Sequence, residues 1–435
     1  MSKRNNGVIL TVLVLFGINL LNFYDRNAPG ALVEPMRREF SLSDTQIGLL
    51  GSMFIWIYAI VGIPFGRIAD VWSRKKLLAF GVVLWASLTA MAGFAQNFSF
   101  LLFTRLGVGV GEAVCAPTGT SWLGDLFPVT KRARVLGVFM LAVPIGGAMS
   151  YFFSGPIAQA FGWRMAMVVA AAPALLLVPA LFLLSEPVRG ASEQHTREEK
   201  NVQPWSVLGI PTLWWIIASG VFLNFNMYAL GTFLPAFLSR VHGYSLARSG
   251  VATGMVYLIG GLCGGALGGQ AGDYIVRKRP NGRLLIASGI AALGAPFAYF
   301  GMIRPAGATI FALAFLTVAY GALNTYYALV YSSIQDIVGP KQRGFTMSVY
   351  FMAMYLCGAS FSPLLTGNLS DRMARSAMTA AGATKMTEAF RAIGLQQAML
   401  VIPVLSVALA IVLLLASRTI AKDVARRDER MNQAA

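Results

Sequence analysis

The segment GRIADVWSRKK at residues 66–76 recurs as GQAGDYIVRKR at residues 269–279. Both copies hold a glycine, an aspartate and an arginine at one spacing, followed by two more basic residues: Gly66, Asp70 and Arg74 in the first copy, Gly269, Asp273 and Arg277 in the second. Another matched pair, DLFPVTKRA (125–133) and DIVGPKQRG (336–344), lies further along each half. Two matches in the same order indicate a parallel internal repeat, an architecture of secondary transporters.

Long apolar runs surround these repeated segments. The chain is 56% hydrophobic and only 12% charged, against about 25% charged residues in soluble domains. Twelve runs are long enough to cross about 30 Å of hydrocarbon, at residues 8–33, 45–65, 76–97, 99–122, 135–157, 165–185, 206–238, 248–268, 284–303, 307–331, 345–366 and 395–416. The first is interpreted as a membrane helix and not as a signal peptide, because eleven others follow. We predict an all-α membrane protein with 12 transmembrane helices in two pseudo-symmetric six-helix bundles.

One polar segment divides the series into halves. EPVRGASEQHTREEKNVQ at residues 186–203 is the longest strongly polar stretch before the C-terminus. We therefore predict an N-terminal bundle over 1–186, a cytoplasmic linker over 187–204, a C-terminal bundle over 205–417 and a cytoplasmic tail over 418–435.

The basic residues predict the orientation of the chain. Of the 35 Lys and Arg residues, 23 lie on the side shared by both termini, 10 lie on the opposite side, and Arg26 and Arg105 lie inside runs. Positive charge concentrates on the cytoplasmic side of membrane proteins, so both termini are expected in the cytoplasm and the protein in the plasma (inner) membrane. The excess of Lys and Arg on the cytoplasmic side then explains the net charge of +17. We expect these residues to contact anionic membrane lipid and not nucleic acid.

At the repeated segments the chain resembles the major facilitator superfamily, whose loop between helices 2 and 3 carries this signature. More narrowly it resembles the Spinster family of sphingolipid and lysolipid transporters. That resemblance rests on NLLNFYDRNAPGAL (19–32), ADVWSRK (69–75), GVGEA (109–113) and SEPVRGA (185–191), which follow in the family's order. It implies an alternating-access transporter of a lysolipid or sphingoid-type amphiphile.

Four charged residues lie inside the apolar runs: Asp25 and Arg26 in the first, Arg105 and Glu112 in the fourth. Each would cost about 2.5–3.5 kcal/mol at the bilayer centre if it faced lipid, so all four are expected to face the interior of the bundle. Asn22 joins Asp25 and Arg26 on one helical stripe. The matching helix of the second half has Met227 and Tyr228 in place of the charged pair.

These charges predict proton coupling and anion binding. Asp25 and Glu112 are the candidate proton carriers, because burial favours a protonated carboxyl while a neighbouring guanidinium favours the ionised form. Arg105 is the expected partner of Asp25, and Arg26, Arg105 and Asn22 are the candidate substrate ligands. The alternative is that static ion pairs only join the two helices. His195 is placed in the linker and His242 in an external loop, both outside the runs.

The C-terminal half offers neutral polar and aromatic groups instead. Asn224 and Tyr228 in the seventh run, and Asn324 and Tyr327 in the tenth, are predicted to line the substrate cavity, although ordinary packing is an alternative for the tenth. In the eighth run Gly260, Gly264 and Gly268 form one ridge, which predicts close helix packing.

The repeated segments are predicted to act as a cytoplasmic gate. Asp70 and Asp273 are expected to face helix N-termini, whose dipoles favour an anion, and Gly66, Arg74, Gly269 and Arg277 complete the two copies. The alternative is that these residues only cap the loops and supply the positive charge that orients the chain in the membrane.

Taken together, the residues predict a proton-coupled secondary transporter of an amphipathic substrate with an anionic or zwitterionic headgroup. A proton-coupled symporter of a small organic or sugar-acid anion is the alternative, and a channel or receptor is disfavoured by the duplicated gate. The sequence offers no catalytic constellation and no metal site, so we expect neither enzymatic activity nor a cofactor. Its partners are expected to be the substrate, protons and lipid, and the protein to be a monomer.

Overall fold

A computed structural model describes residues 2–188, 204–276, 279, 281–339 and 342–434. Its α-helices, in chain order, are α1 (Ser2–Ala31), α2 (Val33–Phe40), α3 (Asp44–Val71), α4 (Arg74–Ala92), α5 (Phe98–Glu112), α6 (Cys115–Leu126), α7 (Val129–Phe161), α8 (Trp163–Leu183), α9 (Pro211–His242), α10 (Leu246–Val276), α11 (Gly282–Ile303), α12 (Thr309–Asp336), α13 (Arg343–Ala353), α14 (Ser362–Ala380), α15 (Glu388–Met399) and α16 (Val401–Ala434).

The predicted number of membrane spans is confirmed. Among the described residues, 12 helical segments are long and apolar enough to cross a bilayer. Helices α1, α3 and α4 form the first three, α5 with α6 the fourth, and α7 and α8 the fifth and sixth. Helices α9 to α12 form the next four, α13 with α14 the eleventh, and α15 with α16 the last. The last helix continues to Ala434, so the predicted tail is helical as far as it is described.

Three spans are interrupted, which the hydrophobic pattern did not predict. The fourth breaks between Glu112 and Cys115, directly after the glycine-rich GVGVG, whose residues favour helix poorly. The eleventh contains a π-helix at Met354–Ala359, and the twelfth breaks at Leu400. Hydropathy reports only that a segment is apolar, so it does not reveal a local change of hydrogen bonding inside the segment.

The chain folds into two compact units. The N-terminal unit comprises Met1–Glu198 and Tyr244–Gly254, and the C-terminal unit comprises Glu199–Gly243 and Met255–Ala435. The first turns of α10 belong to the N-terminal unit because they pack on α7. The backbone N–H of Ala247 donates to Gln159 across 2.9 Å, and an added Cβ at Gly250 would lie 2.6 Å from the carbonyl oxygen of Tyr151.

The glycine ridge of α10 packs as predicted, against α12 in the C-terminal unit. Gly264 lies against the backbone of Gly321. A Cβ added at Gly260 would lie 2.8 Å from the carbonyl oxygen of Thr317, whereas one added at Gly265 would meet nothing within 4 Å. The absence of side chains on one face lets the two backbones approach, as small residues do in membrane helices.

Candidate functional site

The first helix turns its polar stripe into the N-terminal unit. Asn22 is 2% exposed and Asp25 is 1% exposed, while the side chain of Arg26 is 6% exposed. The expectation that these groups face the protein interior is therefore confirmed. The stripe meets the fourth span, where Glu112 is fully buried and Arg105 is 4% exposed.

An ion pair joins the two helices. Nε of Arg26 donates to Oε2 of Glu112 across 3.1 Å. The neighbouring carboxyl, Asp25, accepts a hydrogen bond of 2.7 Å from the hydroxyl of Thr89 on α4. We name Asp25, Arg26, Arg105 and Glu112 the charged cluster.

The expected pairing of Asp25 with Arg105 is looser than the sequence suggested. Arg105 interacts electrostatically with both Asp25 and Glu112, but among the described residues it forms no ion pair within 4.0 Å of either. The contact that positions Asp25 is Thr89, which sequence reasoning missed. A threonine in an apolar run carries no signal of its own until the rotation of its helix is known.

Aromatic rings surround the arginines. The guanidinium carbon of Arg26 lies 4.7 Å from the ring centroid of Phe23 and 4.4 Å from that of Tyr58. Phe54 contacts both arginines, at 5.4 Å from Arg26 and 4.9 Å from Arg105. Such cation–π contacts contribute about 2 kcal/mol or more when they are desolvated. Sequence reasoning missed Phe54 and Tyr58 because α3 carries no charge in its apolar run that would mark the contact.

Several polar atoms of this site have no protein partner. Within the described residues Nη1 of Arg105 and Nδ2 of Asn22 are buried and make no hydrogen bond. Oδ1 of Asp25 and Oε1 of Glu112 accept from no N–H or O–H donor in the described part of the chain, and the two carboxyls lie within hydrogen-bonding reach of each other. A purely structural ion pair in low dielectric requires its remaining lone pairs and protons to be satisfied. The cluster therefore retains capacity for a ligand or a proton.

A second ionic site lies at the N-terminal end of α4. Arg74 is buried and its guanidinium donates to the carboxylate of Asp125, three residues after Trp122 on α6. Glu186 accepts from the backbone N–H of Arg74 across 2.9 Å and from the hydroxyl of Ser73 across 2.8 Å. Burial alone would raise the pKa of Glu186, but these hydrogen bonds outweigh it and hold the pKa below its usual range.

Of the remaining gate residues, the structure describes Gly66 and Gly269. Gly66 lies in α3 with open space where a Cβ would be, and Gly269 lies in α10. The side chains of Asp70 and Asp273, and all of Arg277, lie outside the described residues.

The repeat has a structural equivalent of the Arg74–Asp125 pair. At the matching place in the C-terminal unit, Asp336 accepts a hydrogen bond of 2.5 Å from Arg283 in the first turn of α11. The sequence repeat aligned Arg74 with Arg277, whereas this ion pair uses Arg283. An alignment of spacing therefore does not identify which of several nearby arginines makes the contact.

In the C-terminal unit the predicted amides bond their own helices. Nδ2 of Asn224 donates to the carbonyl of Gly220 across 3.1 Å, and Nδ2 of Asn324 donates to that of Tyr320 across 2.9 Å.

The predicted tyrosines belong to an aromatic group that extends over three helices. Tyr228 packs edge-on against Tyr355, with ring centroids 6.4 Å apart. Tyr327 contacts Tyr331 in the same geometry at 5.5 Å. Sequence reasoning missed the chain of hydrogen bonds beside them. The hydroxyl of Tyr350 donates to that of Tyr326, and the hydroxyls of Tyr326 and Ser219 are hydrogen-bonded across 2.7 Å. These three residues lie on different helices and off the predicted stripe.

The placement of His242 in an external loop was wrong. It is the last residue of α9, 7% exposed, and its Nδ1 lies 3.1 Å from the hydroxyl of Thr309. The helix continues past the apolar run because Gly243, in the left-handed conformation, ends it one residue later. His195 lies outside the described residues.

Comparison with known families agrees with this architecture. The family model described as Major Facilitator Superfamily matches residues 15–363. The chain belongs to the major facilitator superfamily. Its relatives and its fold are those of transporters and not of enzymes, so this superfamily member is a multi-pass membrane transport protein.

Two groups of curated relatives stand out. The chain is 30% identical over 362 residues to an MFS-type efflux pump of Mycolicibacterium smegmatis, covering 83% of this chain and 84% of the relative. It is 29% identical over 397 residues to Protein spinster homolog 1 of Mus musculus, covering 84% and 74% of the two chains. The resemblance to the Spinster family is confirmed.

Solved structures show the same relationship. The chain is similar, at 27% identity and a TM-score of 0.86, to a bacterial homolog of the human lysosomal transporter Spinster in an inward-facing and unoccupied conformation. The comparison covers 96% of this chain and 98% of that one. A D-xylose-proton symporter has the same fold at 16% identity and a TM-score of 0.73, covering 93% and 97%.

Proposed function

We propose that the protein is a proton-coupled, alternating-access transporter of an amphipathic lipid-like substrate, a lysolipid or sphingoid-type molecule with an anionic or zwitterionic headgroup. The observation that carries this proposal is the charged cluster, in which two buried carboxyls lie within reach of each other and each keeps an oxygen that accepts from no donor among the described residues. The protein acts as a monomer in the plasma (inner) membrane, with both termini in the cytoplasm.

The cluster supports a switch between proton and substrate. Glu112 ionised holds Arg26 through their 3.1 Å hydrogen bond. Glu112 protonated has no charge to hold the guanidinium, which then binds an anionic headgroup as a planar fork. Asp25, held by Thr89, carries a second proton site beside the first.

The two units differ in the kind of surface that they offer to a substrate. The N-terminal unit contributes charge through Arg26, Arg105 and Asn22. The C-terminal unit contributes neutral polar and aromatic surface through Asn224, Tyr228, Asn324 and Tyr327. An amphiphile presents both kinds of surface, and the resemblance to Spinster proteins supports this substrate class.

The repeated segments serve as a cytoplasmic gate in this proposal. Asp70 and Asp273 act as the anionic members, and the Arg74–Asp125 pair braces the first copy. Asp70→Asn should open the cytoplasmic side more often, and a cysteine placed below the site should then react faster with an impermeant maleimide added to that side. An unchanged labelling rate would contradict the gating role.

Reconstituted transport tests the substrate class. Fluorescent lysophospholipids and sphingoid-type lipids are loaded in the outer leaflet of proteoliposomes, a pH gradient is imposed, and lipid left outside is extracted with albumin. We expect gradient-dependent protection of the amphiphile that a protonophore abolishes and that protein-free liposomes lack. Uptake of small organic or sugar acids with no effect on lipids would instead favour the anion symporter.

A further inference from the structure

A line of buried polar side chains runs from the charged cluster along the contact between the first and fourth spans. We name it the polar seam. It consists of Asn19, Asn22 and Asp25 on α1, Glu112 at the end of α5, and Cys115, Thr118 and Trp122 on α6. Each of these residues is at most 2% exposed. Helix α1 packs directly against α6, and all seven residues belong to the N-terminal unit.

The spacing places these residues on facing stripes. On α1 they recur every three residues, and on the fourth span they recur every three or four, so each set stays on one side of its helix. At one end Arg26 and Glu112 tie the helices together. Further along, Sγ of Cys115 lies 4.0 Å from Oδ1 of Asn19, so the two stripes are in contact.

The seam contains more polar capacity than its protein contacts use. Nδ2 of Asn22, the hydroxyl of Thr118 and Nε1 of Trp122 are buried and make no hydrogen bond within the described residues. The carboxyls of Asp25 and Glu112, which lie within hydrogen-bonding reach of each other, add acceptors at one end. By contrast, Nδ2 of Asn19 donates to the carbonyl of Phe139 across 3.0 Å.

Such atoms are rarely left alone in a folded protein. A buried polar group without a partner costs about 1–3 kcal/mol, and more than nine in ten have a partner in protein or ordered water. The line therefore has acceptors at the carboxyl end, and at Asn22, Thr118 and Trp122 it has N–H or O–H groups that need a partner. Ordered water satisfies groups of this kind with two to four hydrogen bonds.

We propose that the polar seam holds a file of hydrogen-bonded water that carries protons between the carboxyls of the charged cluster and the α6 end of the N-terminal unit. From Cys115 to Trp122, helix α6 rises about 10 Å at 1.5 Å per residue. This inference rests on the proposed proton coupling. It adds a route that lies inside one unit and leaves the substrate site at the charged cluster.

The charges at the far end suit an exit for protons. Asp125 follows Trp122 by three residues, its side chain is 13% exposed, and it is paired with Arg74. In our orientation this end faces the cytoplasm. The seam thus joins the carboxyls of Asp25 and Glu112, beside Arg26 and Arg105, to the Arg74–Asp125 ion pair.

The test removes hydrogen-bonding groups from the seam. Thr118→Val removes a hydroxyl at nearly constant volume, and Trp122→Phe removes the indole N–H together with part of the ring. Thr104→Val is the matched control for Thr118→Val, because its buried hydroxyl already donates to the carbonyl of Leu101 across 2.8 Å. Two transport modes are compared in proteoliposomes with fluorescent lysophospholipid: accumulation driven by a pH gradient, and exchange of lipid for lipid without a gradient.

A substitution that interrupts the proton route should reduce gradient-driven accumulation but not lipid exchange. We expect gradient-driven accumulation to fall about tenfold or more in Thr118→Val and Trp122→Phe, with lipid exchange and the control variant at wild-type rates. Equal loss of both modes would show a structural defect and overturn the inference. Wild-type accumulation in both seam variants, in a wild-type protein that does respond to the gradient, would also overturn it.

A second measurement does not depend on transport. In protein labelled with ¹⁵N-tryptophan, the indole signal of Trp122 is assigned by its loss in Trp122→Phe, and its exchange with D₂O is followed. Water in the seam predicts measurable exchange that slows in Thr118→Val. An indole that does not exchange, or that exchanges equally in both proteins, contradicts the water file. A wild-type protein that ignores the pH gradient while its Trp122 exchanges would contradict only the proposed coupling.

Discussion

Nε of Arg26 donates a hydrogen bond of 3.1 Å to Oε2 of Glu112, although 86 positions separate the two residues in the chain. Both side chains are buried, and the ion pair joins the first span to the break in the fourth. Breaking a buried pair by removing one partner costs about 3–5 kcal/mol, because the other charge is left uncompensated. Loss of either partner should therefore weaken the contact between these two spans.

Substitutions of Arg26 should show whether transport requires the geometry of the guanidinium or only its positive charge. Arg26→Ala should abolish transport, since it removes the headgroup ligand and leaves Glu112 buried without its partner. Arg26→Lys should retain less than about a tenth of the rate, because an ammonium cannot reproduce the planar fork or its stacking on Phe23 and Tyr58. Initial uptake rates at matched protein density provide the measurement. Full activity in the lysine variant would show that net charge alone is sufficient.

The cap at the start of α4 predicts a pH dependence of stability. Hydrogen bonds from the backbone of Arg74 and the hydroxyl of Ser73 outweigh the burial of Glu186 and hold its pKa below the usual value. A lowered pKa stabilises the fold above the ordinary carboxyl range, and this stability is lost as the pH falls through the folded value. Glu186→Gln should therefore lower the melting temperature by about 2 °C at pH 7.

The difference between wild type and Glu186→Gln should shrink as the pH falls below about 4. Tryptophan fluorescence melting in detergent at several pH values measures it. Glu429→Gln on the exposed face of α16 is the control and should match wild type throughout. A pH-independent deficit in Glu186→Gln would mean that the cap does not depend on the carboxylate.

Neighbouring glycines in α10 give a matched pair for packing. Gly264→Ala places a methyl group against the backbone of Gly321 and should lower the melting temperature and the yield of folded protein. Gly265→Ala meets nothing within 4 Å and should be neutral or stabilising, because alanine favours helix by about 1 kcal/mol over glycine. Size-exclusion profiles and melting curves compare the two. Equal behaviour would contradict the close packing of α10 on α12.

Much of the fold follows from the sequence because the bilayer imposes simple lengths. Twelve apolar runs gave the twelve spans, and the cost of burying Asp25 and Arg26 showed which way the first helix faces. The ridge containing Gly264 was predicted for the same reason, since small residues at one spacing serve close packing.

The way helices meet one another was harder to predict. Thr89 and Phe54 complete the charged cluster, but each lies in an apolar run where its residue type is ordinary. Their role depends on helix rotation, which one sequence does not fix. The break after Glu112 and the pairing of Arg283 with Asp336 depend likewise on local geometry and not on periodicity.

The central claim is that the carboxyls of the charged cluster couple proton movement to transport. Asp25→Asn and Glu112→Gln keep the shape of each side chain and imitate its protonated form. The most direct measurement is lysophospholipid accumulation by each variant in proteoliposomes under an inward and then an outward pH gradient. The account predicts that Asp25→Asn folds and loses gradient-driven accumulation, and that Glu112→Gln is impaired similarly or in part. Wild-type accumulation in both variants would contradict it.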